Sequence, residues 1–226
     1  MSWNFLREVL LASGIKGKNL QENYGQELDQ ILKQFLTIMN PPPSPVAIAR
    51  KLFVFLWQEK PARYKPSGHY RLGSVINAQL SKEVPAVGNC LGLTLLYNCL
   101  LGELGILTQA LYLENAFDRG PHVLTLFPVG GTMIDIENIL PEGFDYQGHR
   151  FNPLRTRWGE QELVADVYFS VGNELFERGE YKGALKNYDK PIKFNPRCEK
   201  AYFNKLILLD KMKIERIKNK SSMNGS

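Results

Sequence analysis

Apolar positions in the first third of the chain recur at helical spacing. Leu28, Ile31, Leu32, Phe35, Leu36 and Met39 trace one stripe, which predicts a helix over Asp29–Met39, the second of two in the first forty residues. The run Asn40-Pro41-Pro42-Pro43 is expected to stop it, because proline cannot continue a helix and pushes the preceding residue extended. Ser44-Pro45 then reads as an N-cap and first-turn proline, opening a helix that buries Val46, Ala49, Leu52, Phe53, Leu56 and Trp57 and ends at Pro61. A turn-rich loop over Pro61–His69 precedes a short helix over Leu72–Leu80. From Leu91 to Leu101 the chain is apolar nearly all round, the pattern of a helix running through a core, with Gly105 as a left-handed C-terminal cap. The period then changes to two. Leu107–Glu114, His122–Phe127 and Thr132–Asn138 read as strands, the last pair joined by a hairpin turn at Pro128-Val129-Gly130-Gly131. Helices followed by an antiparallel meander predict an α+β domain over residues 1–160, its helical N-terminal part packed on the sheet.

The last third reads differently. Residues 165–198 form a predicted helical hairpin, with Tyr168, Gly172, Asn173 and Leu175 before a turn at Gly179-Glu180-Tyr181, then Ala184, Tyr188 and a stop at Asn195-Pro196. A second unit opens at Lys200-Ala201-Tyr202-Phe203-Asn204. This spacing resembles the tetratricopeptide repeat, in which small residues let paired helices pack closely. Two positions depart from it: Pro191, expected to kink the second helix, and Leu206, where the repeat carries glycine. The segment 161–212 therefore holds about one and a half units, and 213–226 reads as a basic, disordered tail.

Composition narrows the function classes. With 44% hydrophobic and 23% charged residues in a chain of 226, the protein reads as an ordinary globular one. No apolar stretch reaches the roughly 18 residues of a membrane span, and the Phe5–Leu11 segment, broken by Arg7 and Glu8, does not read as a signal peptide. The net charge of +5 is concentrated at the end, where Lys211, Lys213, Arg216, Lys218 and Lys220 face only Glu215. The rest is nearly neutral and no aromatics interleave those lysines, so nucleic acid is not an expected partner. Three cysteines with no disulfide spacing predict reduced thiols and a cytoplasmic setting.

One cysteine stands apart. Val87-Gly88-Asn89 delivers Cys90 to the first turn of the core helix, where unpaired N–H groups and the positive end of the helix dipole favour thiolate. Cys99, mid-helix among leucines, reads as core. His122 heads an apolar strand and is the candidate general base, whereas His69 and His149 fall in loops. Asp135, at the centre of the return strand, is the candidate orienter of that imidazole, and Glu137, two residues on and on the same strand face, is its rival. The Cys90 N–H is a natural oxyanion donor, with Gln79 or Asn89 as an added amide. No Cys-x-x-Cys, His-Glu-x-x-His or phosphate-binding glycine loop is present, and Cys90 with His122 alone lacks further obvious ligands, so no metal and no cofactor are expected.

Gly88-Asn89-Cys90-Leu91-Gly92-Leu93, Pro121-His122-Val123 and Met133-Ile134-Asp135 together resemble the transglutaminase-like superfamily, and especially its bacterial branch in which such a core precedes tetratricopeptide repeats. The resemblance spans about residues 70–140. It implies a papain-type α+β fold with Cys90, His122 and Asp135 as nucleophile, base and orienter. It also implies acyl transfer at amides of a protein or peptide substrate, whether crosslinking, deamidation or hydrolysis, through a thioester. The surroundings differ: no aromatic adjoins His122, and Ile136-Glu137-Asn138 stands where Pro-Thr is usual. Since some members of the branch are non-catalytic, the rival expectation is an interaction module that uses the repeats on an inert scaffold.

Overall fold

The computed structural model describes residues 3–39, 44–196 and 198–223, and the stop expected at Asn40–Pro43 lies outside them. Among the described residues the chain is α+β, with eight helices and one four-stranded antiparallel sheet. It divides into two compact units, Met1–Leu163 and Val164–Ser226. No helix among the described residues is long and apolar enough to cross a membrane.

In the first unit, α1 (Phe5–Ala12) and α2 (Lys18–Ile38) lead to α3 (Pro45–Glu59). Ser44 caps α3 through its side chain, which accepts from the Ala47 N–H at 3.3 Å. Then come α4 (Leu72–Leu80) and α5 (Cys90–Glu103). Every residue of α5 from Leu91 to Leu101 is buried, as its all-round apolar pattern requires, and Gly105 follows with φ +72°.

The strands are β1 (Gln109–Leu113), β2 (His122–Val129), β3 (Thr132–Ile136) and β4 (Arg155–Trp158), in the order β3-β2-β1-β4. Gly130 and Gly131 turn β2 into β3 with φ of +51° and +85°. Counting outward from that turn, Val129 pairs with Thr132, Leu126 with Asp135 and Thr125 with Ile136. On one face of the sheet Leu111, Leu113, Leu124 and Leu126 form an apolar cluster. On the other, Thr125 meets α5 in a buried polar network. Thr125 Oγ1 donates to Asn98 Oδ1 (2.6 Å), and Asn138 Nδ2 donates to the hydroxyls of Thr125 (2.9 Å) and Thr94 (3.2 Å).

The second unit continues α6 (Glu160–Glu177) into α7 (Tyr181–Phe194) and α8 (Glu199–Met223). Its core gathers Ala184, Tyr188 and Leu208, with Phe169, Phe176 and Met212 around them. The Tyr188 hydroxyl donates to Asn173 Oδ1 at 2.8 Å. Helix α7 continues past Pro191 to Phe194. The expected disordered tail needs correction as far as Met223: α8 runs through residues 213–223, which are rich in Lys and hold no glycine or proline to break it. Residues 224–226 lie outside the described ones.

Candidate active site

Cys90 is the first residue of α5 and is half-buried. The loop expected at Pro61–His69 is the platform for its approach. Val87 and Gly88 donate their N–H groups to the Arg63 carbonyl (2.8 and 3.1 Å), Lys65 N–H donates to the Gly88 carbonyl (3.1 Å), and Asn89 N–H donates to the His69 carbonyl (3.0 Å). These contacts are backbone against backbone, and glycine permits them. A Cβ on Gly88 would lie 2.7 Å from the His69 oxygen, and one on Gly92 would collide with the same oxygen. The Asn89 side chain accepts from the Gly92 N–H at 3.0 Å, so its carbonyl oxygen serves as the helix cap. Gln79, the other amide considered, is buried in α4, and its Oε1 has no partner among the described residues.

His122, at the start of β2, is buried and lies within hydrogen-bonding reach of the Cys90 thiol. Its Nε2 donates to the Glu137 carboxylate, 2.9 Å from Oε1 and 2.8 Å from Oε2. That leaves Nδ1 as the ring nitrogen free to share a proton with the sulfur. Burial disfavours a charged ring, but the hydrogen bonds to Cys90 and Glu137 and the charges on both outweigh it, raising the His122 pKa to about 9. Burial likewise pushes the Glu137 carboxyl up. Hydrogen bonds and charge from His122 and His149 outweigh this and hold it below its ordinary value.

The carboxylate beside His122 is thus Glu137, and the expectation of Asp135 is corrected. The register explains why. Asp135 sits opposite Leu126, four residues along β2 from His122, or about 13 Å at the usual rise per residue. Glu137, just past the end of β3, is two residues nearer, and its N–H donates to the Gly143 carbonyl at 2.8 Å as the chain turns. Asp135 instead accepts from Arg155 of β4, at 2.7 Å from Nη1 and 2.9 Å from Nη2. The strands β3 and β4 are the two edges of the sheet, so this pair spans the face that carries the leucine cluster.

A third residue, His149, joins the group although it stood in an aperiodic loop. It is buried, and its Nε2 lies 3.0 Å from Glu137 Oε2. Its ring packs edge-on against Phe117 and Tyr146, with centroids at 4.8 and 4.9 Å, and its carbonyl accepts from Arg155 Nη1 at 2.6 Å. Phe117 also packs edge-on to His122, at 5.6 Å, and is held at φ +52°, a conformation rare for a bulky residue. The donor atoms of His122, Glu137 and His149 all lie within 4.8 Å of one another. The expectation that a metal would lack ligands considered only Cys90 and His122, whereas the fold supplies two more donors. Tyr64 borders the site: burial and the charges of Cys90 and Glu137 push its hydroxyl up, while Arg119 acts the other way.

Chemically, a half-buried cysteine at a helix start, an imidazole in reach and a carboxylate behind that imidazole suit proton transfer between thiol and ring. Comparison with protein-family models, with curated proteins and with solved structures returns no match for this chain.

Proposed function

We propose that the protein is a thiol enzyme of the transglutaminase-like kind that transfers acyl groups from amides of protein or peptide substrates. Cys90 is the nucleophile, His122 the acid and base, and Glu137 the orienter. The reading is carried by one observation: the His122 ring lies in reach of the Cys90 thiol while its far nitrogen is held by a buried carboxylate. In the first half-reaction the thiolate attacks the amide carbonyl. As the tetrahedral adduct collapses, the C–N bond breaks, His122 gives its proton to the departing nitrogen, and a thioester remains on Cys90. Water or an amine then attacks the thioester, yielding its proton to His122 as the C–S bond breaks. The Cys90 N–H, at the first turn of α5, is the donor placed to receive the developing oxyanion. The helices of the second unit serve in docking, and α8 presents Tyr202, Phe203 and Leu206 as exposed apolar groups for it.

Iodoacetamide labelling near neutral pH, read by mass spectrometry, tests this. Cys90 should alkylate much faster than Cys99 or Cys198, both buried and both with thiols pushed up by that burial. The advantage should disappear in His122→Ala. Equally slow labelling of all three cysteines would sink the reading.

A further inference from the structure

We propose that His122 Nε2, His149 Nε2 and the Glu137 carboxylate bind one divalent ion of the zinc class, and that the bound ion silences the Cys90–His122 pair. The geometry is close to what such an ion needs. Both Nε2 atoms face one carboxylate, at 2.8 and 3.0 Å from Oε2. Metal–ligand bonds of about 2.0–2.1 Å in a tetrahedral shell set ligand atoms about 3.4 Å apart. Each nitrogen would draw back from Oε2 by about half an ångström, and the two nitrogens, which lie within 4.8 Å of one another, would settle to that spacing. Two imidazoles and one carboxylate are a zinc-type donor set that leaves a fourth position for water. All three side chains are buried, so an ion here would be held in a site of low dielectric.

The surrounding contacts orient these donors. Phe117 and Tyr146 fix the plane of His149, and Arg155 anchors its carbonyl while also holding Asp135. A cleft of about 610 Å³, lined by Phe117, Tyr146, His149 and Asn152 among others, gives an entry path from solvent.

Occupancy has a chemical consequence, and this part rests on the thiol reading above. Each Nε2 that becomes a ligand releases its proton to solvent. The proton that His122 keeps is then on Nδ1, so the ring cannot accept one from the Cys90 thiol. Glu137, its charge committed to the ion, no longer supports an imidazolium. Cys90 is not among the converging donors, so the ion would block the pair by withdrawing the base and not by capping the sulfur.

The test uses the full chain, stripped with a chelator, desalted and titrated with zinc against a chromophoric competitor. One zinc per chain is expected, retained in Cys90→Ser and weakened in His149→Gln and Glu137→Gln, which remove ligands, by more than the roughly tenfold to hundredfold that loss of an outer-shell partner costs. X-ray absorption of the zinc-loaded wild type should show nitrogen and oxygen near about 2.0–2.1 Å and no sulfur. This measurement does not depend on the variants folding. No stoichiometric zinc, or a shell containing sulfur, overturns the site. Iodoacetamide labelling of Cys90 with and without zinc then separates the two ideas. Slowing on zinc supports the silencing, and an unchanged fast rate with zinc bound in a nitrogen–oxygen shell overturns it. Slow labelling without zinc sinks the thiol reading and leaves the metal site standing.

Discussion

Glu137 accepts from the Nε2 of His122 through both carboxylate oxygens, and no part of the Glu137 side chain reaches solvent. One of those oxygens also receives His149, and the other lies 3.4 Å from the Ile139 N–H. A charge removed from water is stabilised only by such donors, which here are the rings of His122 and His149. Folding and the protonation of His122 are therefore coupled through one carboxylate.

Glu137→Gln and Asp135→Asn should consequently part company. The first keeps the shape of the side chain but removes the charge behind His122, and alkylation of Cys90 should slow by about tenfold because the ring is less able to take the thiol proton. The second leaves Cys90 labelling close to wild type. It weakens the pairing with Arg155, whose side chain is partly exposed, and should cost about 1–2 kcal/mol in urea unfolding. A labelling defect in Asp135→Asn equal to that of Glu137→Gln would restore the aspartate as orienter.

The pH dependence of stability follows from the same group in metal-free protein. His122 titrates at about 9 when folded, against an ordinary 6.5. The native state holds that proton more tightly, so its stabilisation is complete below about pH 6.5 and is lost as pH rises through about 9. Glu137 is shifted below its ordinary 4.5, so its stabilisation is present above that pH and fades on acidification. The stability difference between wild type and His122→Ala should be greatest near pH 5–6.5 and shrink by pH 9.5, measured by urea unfolding across the range. A gap that widens with rising pH would mean that the ring is buried neutral.

Asn138→Ala should destabilise the protein by about 2–3 kcal/mol. It removes two buried hydrogen bonds, to Thr94 and Thr125, and leaves a small void between β2 and α5. Differential scanning calorimetry should show the first transition lowered by roughly 5–10 °C. A shift within about 1 °C would mean that the network contributes nothing net.

Gly92→Ala should be worse for the site than for the rest of the fold. Its Cβ would meet the His69 carbonyl and, at 2.9 Å, a Val75 methyl, so the start of α5 has to move. Fast Cys90 labelling should be lost even under conditions where circular dichroism still reports a folded protein. Retention of wild-type labelling would show that the His69 segment yields instead.

The helices were legible because period and punctuation agreed: α4 occupies Leu72–Leu80, and Ser44 caps α3, as the residues predict. Strand β4 was not legible. Arg155-Thr156-Arg157-Trp158 is short, carries two arginines, and pairs only with β1 at an edge, so no alternation announces it. His149 carried no local signal either, since it reaches Glu137 only through the tertiary path of the loop between β3 and β4. The choice between Asp135 and Glu137 was different. Both lie on one strand face, and position at the strand centre was the wrong criterion. Counting residues outward from Gly130-Gly131 sets Asp135 against Leu126 and leaves Glu137 closer to His122, so the turn itself held the answer.

The main-chain contacts under Cys90 bear on how such a protein can diversify. Because the Gly88, Asn89 and Gly92 segment rests directly on the backbone of Arg63–His69, no exchange of side chains can slide the sulfur to a new position without breaking the seat. Change is thereby pushed outward, to the rim where Phe151 stands exposed. On the proposed thiol reading, that seat would act as a fixed anvil around which selectivity could drift.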